Sequence, residues 1–166
     1  MYGIMNEHQV GIGESTCAAK LWAAPIGFSS SLVNGSALLE ADELSQIALE
    51  RASTARQAIE IMGQLVMEYG YYSATWDVAK YPPQLGIPYA EGEGGEALSV
   101  IDPNEAWMFH ILPDDTGTQA VWAAQRVPDN HITVCANQFV IREIDPNSTD
   151  FMYSSNLYRS FFHSFI

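Results

Sequence analysis

The spacing of apolar and polar positions changes along the chain, and each change marks an element. Val10 and Ile12 alternate with Gly11 and Gly13, the two-residue period of a strand whose small residues let another backbone or a ligand come close. The strand is entered through Asn6-Glu7-His8 and left through Ser15-Thr16-Cys17. Residues 18–36 carry Trp22, Pro25, three consecutive serines and Asn34-Gly35 without a sustained period, and so read as a surface loop. From Ala37 to Gly70 the period becomes helical. Leu44, Ile47, Ala48 and Arg51 mark the face of one helix, and Ile59, Met62, Leu65, Val66 and Tyr69 that of a second, which predicts a helical hairpin. Thr54 followed by Gln57 is a capping-box signature, and Gly70 is a natural stop. The broad stripe of the second helix places it across a sheet.

Residues 71–95 are rich in Tyr, Pro and Gly and continue neither period. Trp76, Tyr81 and Tyr89 within them either seal a core edge or cover a ligand. From Glu96 the pattern is extended: 97–101, 106–112, 119–127 and 132–141 read as four strands of an antiparallel meander joined by Asp/Pro/Asn turns. The predicted class is α+β, with one early strand, a helical hairpin and then the meander. A single strand ahead of the helices has no partners of its own, so the chain is expected to be the central piece of a layered sandwich in which the helices bridge a first sheet to a second. Residues 1–157 form the expected domain. The Phe-rich residues 158–166, with Phe161, Phe162 and Phe165, are expected to be a divergent or truncated tail.

At 166 residues with 48% apolar content, the chain has the material for one core. Seven Lys+Arg against twenty Asp+Glu give a formal net charge of -13, which repels nucleic acid and anionic membrane surfaces and leaves small-molecule or peptide ligands. No apolar run reaches the ~20 residues of a membrane span. Two glycosylation sequons, at Asn34 and Asn147, fit a secretory or lysosomal route without excluding the cytoplasm. Cys17 and Cys135 make neither a disulfide framework nor a metal-ligand spacing and are expected to be two buried apolar thiols. No metal or cofactor motif is present, and nothing in the pattern reads out an oligomeric state.

Five ordered blocks carry a resemblance: residues 3–17, 94–102, 105–110, 121–128 and 131–145. Together they resemble the dipeptidase A family of N-terminal-nucleophile cysteine peptidases, to which the secernins are related. The resemblance implies an αββα sandwich that hydrolyses dipeptides with the thiol of a mature N-terminal cysteine, whose own α-amine is the general base. It requires neither metal nor cofactor. In the family that cysteine precedes the Asn-Glu segment, and no cysteine stands near Met1, so the chain is expected to be an internal fragment, inactive by itself.

By resemblance Asn6 supplies an amide donor to the tetrahedral oxyanion, and Asn137, at the end of the later block, orients the α-amine or the same oxyanion. A fixed donor of this kind contributes ~3 kcal/mol. The two asparagines are expected to converge. Glu7, His8, Glu14 and Glu96 are candidates for the ammonium end of a dipeptide, and Arg142 for its carboxylate, each set against a plainer role as a solvated surface charge. Two other readings stand beside this one. Cys17 paired with His8, His110 or His131 makes a self-sufficient thiol and base. A non-catalytic, secernin-like binding or regulatory module uses the same sandwich without the nucleophile.

Overall fold

The computed structural model of the chain describes residues 3–19, 21–29, 34–73 and 94–157. Their elements are β1 (Gly3–Met5), β2 (Gly11–Cys17), α1 (Ala41–Arg51), α2 (Ala55–Tyr69), β3 (Gly95–Ile101), β4 (Ala106–Pro113), β5 (Ala120–Val127) and β6 (Phe151–Tyr153). The strands form one antiparallel sheet in sequence order, so the class is α+β with a helical layer on a sheet, consistent with part of a sandwich.

The expected lone strand is not alone. β1 pairs with β2 from Gly3 opposite Gly13 to Met5 opposite Gly11, and β2 pairs along its whole length with β3, from Gly11 opposite Ile101 to Cys17 opposite Gly95. The helical hairpin therefore joins two neighbouring strands of one sheet instead of bridging two sheets. An antiparallel connection normally needs only a tight turn. Here the long excursion serves to cover the sheet.

Both helices pack on the face made by Ile12, Leu98, Val100, Trp107, Phe109, Ile111, Trp122 and Ala124. α2 buries Ile59, Met62 and Val66 from its predicted stripe, while Tyr69 stays 41% exposed. In α1 the buried set is Ala41, Leu44, Ser45, Ala48 and Leu49; Arg51, placed on that face by the sequence pattern, is exposed. The capping box forms at Thr54, whose hydroxyl accepts from the Gln57 N–H at 3.2 Å, while the Gln57 amide oxygen accepts from Ser53 N–H at 2.8 Å. A second cap comes from outside the helix: Asp102 accepts from Ala55 N–H at 2.7 Å and, through its other oxygen, from Asn104 and Glu105 N–H. Burial pushes the Asp102 carboxyl up, but these three N–H bonds outweigh it and hold the group below its ordinary value.

Gly63 is where α2 comes closest to the sheet. A Cβ built there would overlap Cζ2 of Trp122, whose ring stacks on Phe109 at 5.5 Å. Gly63→Ala is therefore expected to destabilise the fold by about 2 kcal/mol despite alanine's better helix propensity, read as a lower urea midpoint.

The expected strand 132–141 is absent. These residues bend at 136–138 and make no ladder, and the pairing position beside β5 is taken by β6, with Gln125 opposite Phe151 and Ala123 opposite Tyr153. Residues 131–145 instead run as a strap over the sheet face that the helices leave uncovered. Cys135, Phe139, Val140 and Ile141 pack there on Cys17, Ala97 and Met108, and Ile132 and Val134 are left 94% and 74% exposed. Trp76, Tyr81 and Tyr89, and the tail 158–166, lie outside the described residues. Among the described residues no helix is long and apolar enough to cross a membrane.

Candidate functional site

The structure does not bring the two asparagines together. Asn6 sits in the β1–β2 turn on the helical side. Its amide nitrogen donates to the carbonyls of Leu49 and Ala52, both at 2.8 Å, and its side-chain oxygen accepts from the N–H groups of His8 and Val10, both at 3.0 Å. Leu49 and Ala52 close α1, so Asn6 satisfies carbonyls that the helix end leaves open and fixes the hairpin turn in the same stroke. All four hydrogen-bonding positions of this amide are used. Glu7 and His8 project from the same turn with side chains 83% and 52% exposed and 3.9 Å apart, a solvated pair.

Asn137 lies at the other end of β2, roughly 20 Å along the strand, and on the opposite face. Its backbone is left-handed, with φ of 54°, a conformation asparagine tolerates better than most residues. Its amide nitrogen donates to the Thr16 carbonyl at 2.9 Å, and its N–H donates to the Ser15 hydroxyl at 3.0 Å. That hydroxyl in turn donates to the Cys135 carbonyl at 3.3 Å. One N–H and the side-chain oxygen of Asn137 make no hydrogen bond among the described residues, and the side chain is exposed. It is a held amide with capacity to spare.

The exit of β2 thus gathers Ser15, Thr16, Cys17 and Asn137. Glu96 stands opposite Thr16 in the β2–β3 register, and Glu14 accepts from the Thr16 hydroxyl at 2.6 Å, so both carboxylates share the helix-side face of this same end. Glu96 is fully buried and Glu14 half-buried. Their field is felt nearby: burial, then Glu96, Glu14, Cys17 and Glu40, push the fully buried Tyr71 hydroxyl well above its ordinary value. Of the proposed ammonium ligands, Glu14 and Glu96 therefore stand across the sheet from Asn137, and Glu7 and His8 stand at the other end of β2. Arg142 is an exposed strap residue, away from β2 in a shallow depression with Gln125, Glu143 and Asp145. Among the described residues no cluster of three or more His, Cys, Asp or Glu forms a metal-binding group.

The self-sufficient thiol is not supported. Cys17 is fully buried, and burial, then Cys135 and Glu96, push its thiol up to about 12, the reverse of an activated nucleophile. His110, two strands from β2, serves the strap: its Nε2 accepts from Val140 N–H at 3.3 Å and its ring packs on Phe139. Burial, then the Arg142 charge, hold the imidazole down to about 4. Since an unfolded histidine takes its proton near pH 6.5, folding stability is full above that value and falls as the pH drops toward 4. A loss on the order of 2 kcal/mol is expected. His110→Gln should flatten the denaturation midpoint across this window.

This arrangement has a family context. The model of peptidase family C69 matches residues 2–79 and 85–164. The chain belongs to peptidase family C69. A protein of Latilactobacillus sakei named a probable dipeptidase is 30% identical over 120 residues, 72% of this chain and 20% of that protein. Probable dipeptidase B of Lactococcus lactis subsp. lactis is 28% identical over 116 residues, 70% of this chain and 19% of that protein. The matched part of this chain thus spans about a fifth of the length of the curated relatives. The C69 match takes in the β2 exit and the strap together.

What the sequence missed was the meeting of Ser15 and Thr16 with Asn137. The signal available was the Ser-Thr pair closing an otherwise apolar strand, but its partner lies more than a hundred residues away.

Proposed function

We propose that this C69 chain forms part of a cysteine-type dipeptidase in which Asn137 is the amide that orients the reacting groups. The single observation carrying this reading is that Asn137 is pinned through Ser15 and Thr16 while one N–H and its oxygen make no hydrogen bond among the described residues. A donor fixed before the reaction pays no reorganisation when negative charge develops on the scissile carbonyl oxygen. Asn6 is assigned to the hairpin instead, since its amide is spent on α1. Glu14 and Glu96, on the helix-side face and so across the sheet from Asn137, are assigned no substrate contact. Arg142 and the solvated pair Glu7 and His8 have no part in the proposal.

The nucleophile is proposed to be an N-terminal cysteine thiol contributed by chain outside these 166 residues, because the buried Cys17 has the properties of an inert thiol. The thiolate attacks the peptide carbonyl, the α-amine of that same cysteine carries the proton to the leaving amine, and water releases the second amino acid. The test compares the intact polypeptide with the 166-residue chain on a panel of dipeptides. The intact protein is expected to release free amino acids and to lose activity when its N-terminal cysteine is alkylated, and the 166-residue chain to release none. Turnover by the short chain that disappears on Cys17→Ala would overturn the assignment.

A further inference from the structure

We propose that Cys17 and Cys135 form a disulfide when an external disulfide is present, and that this bond clasps the strap to the sheet. The chain has only these two cysteines. They are far apart in sequence, yet the fold brings them into one neighbourhood: Cys135 packs against the cluster of Cys17, Ala97 and Met108, and its thiol is among the groups that raise the proton affinity of Cys17. Both are free thiols. The backbone on either side is already fixed, by the Ser15 hydroxyl on the Cys135 carbonyl and by Asn137 on Ser15 and Thr16. Cross-links fail chiefly where closing them drags the backbone out of place. Here Ser15 and Thr16, just ahead of Cys17, are already tied to Cys135 and Asn137 before any bond forms.

The half-buried Cys135 is the thiol that an incoming disulfide reaches first. Its thiolate attacks one sulfur of oxidised glutathione, expelling one glutathione thiolate and leaving a mixed disulfide on Cys135. Cys17 then gives up its proton to solvent and attacks the Cys135 sulfur, expelling the second glutathione. Two protein thiols are oxidised and one glutathione disulfide is reduced to two thiols. The high proton affinity of Cys17 slows the second step without altering the end state, so closure should accelerate as the pH rises. The clasp would hold Asn137, two residues beyond Cys135, against β2. Its bearing on catalysis rests on the reading of Asn137 given above; the bond itself does not.

The test equilibrates the 166-residue chain with oxidised glutathione at pH 8.5, quenches with acid and maps the tryptic peptides without reduction. The expected product is residues 1–20 joined to residues 127–142, two hydrogens lighter than the separate peptides. Its thermal midpoint should rise by about 5 °C or more and return on reduction. In Cys17→Ser, Cys135 should stop at the glutathione adduct; in Cys135→Ser, Cys17 should remain unmodified. The proposal is overturned if the wild-type chain accumulates only the Cys135 adduct, if both thiols stay free, if the disulfide links two chains, or if closure lowers the midpoint. These outcomes are read on the parent chain, so they do not depend on the variants folding, and none depends on peptidase activity.

Discussion

Replacing Asn6 with alanine is expected to lower the unfolding free energy by about 3 kcal/mol while leaving the proposed site at the β2 exit in place. The substitution removes four hydrogen bonds at once. Two are to the carbonyls of Leu49 and Ala52, and two are from the N–H groups of His8 and Val10. Each is worth about 1 kcal/mol, and the half-buried carbonyls left behind recover only part of that from water. Urea denaturation followed by far-UV circular dichroism measures the effect. Asn6→Asp is the sharper variant, because a carboxylate can still accept from His8 and Val10 but repels the Leu49 and Ala52 oxygens. It should be at least as damaging as alanine. A variant that keeps full stability but loses peptidase turnover in the intact protein would return Asn6 to the reaction and sink this assignment.

The division between what the sequence discloses and what it hides follows the range of the interactions. The helical hairpin is readable because its signals are local: the Ile59, Met62 and Val66 stripe, the Thr54–Gln57 box and the Gly70 stop all sit within a few residues of what they determine. β3, β4 and β5 are readable because their apolar runs are bounded by turn residues. Residues 132–141 carry the same alternation as those strands, yet a ladder also needs a free edge. β6, three residues long and without a pattern of its own, occupies that edge, so the strap bonds to side chains of Ser15 and His110 instead.

The candidate site was half visible for the same reason. Two amides near strand ends, Asn6 and Asn137, look equivalent in a linear reading. What separates them is the company each keeps: the end of α1, some 43 residues further along, consumes one, and the exit of β2 steadies the other. Glu96 and Glu14 look like any of the chain's many acids in a linear reading; the β2–β3 register sets Glu96 opposite Thr16, and the Thr16 hydroxyl bonds to Glu14.

The largest functional effect is therefore expected at Asn137. In the intact protein, on the proposed role, Asn137→Ala should reduce kcat about a hundredfold, the value of one fixed donor to a developing oxyanion. KM should change little, since that donor meets full negative charge only in the transition state. Alanine also strains the left-handed backbone at this position, which costs on the order of 1 kcal/mol, so a loss of turnover by itself would be ambiguous. Asn137→Gly removes the ambiguity because glycine adopts the same φ freely. Both variants should lose turnover to a similar extent, with the glycine variant keeping a near-parental thermal midpoint. Ser15→Ala gives the complementary case: it cuts the hydroxyl link between β2 and the strap but leaves the amide, so it should cost less in kcat than either. Full turnover in Asn137→Gly would mean that the backbone turn, not the amide, is what this position contributes.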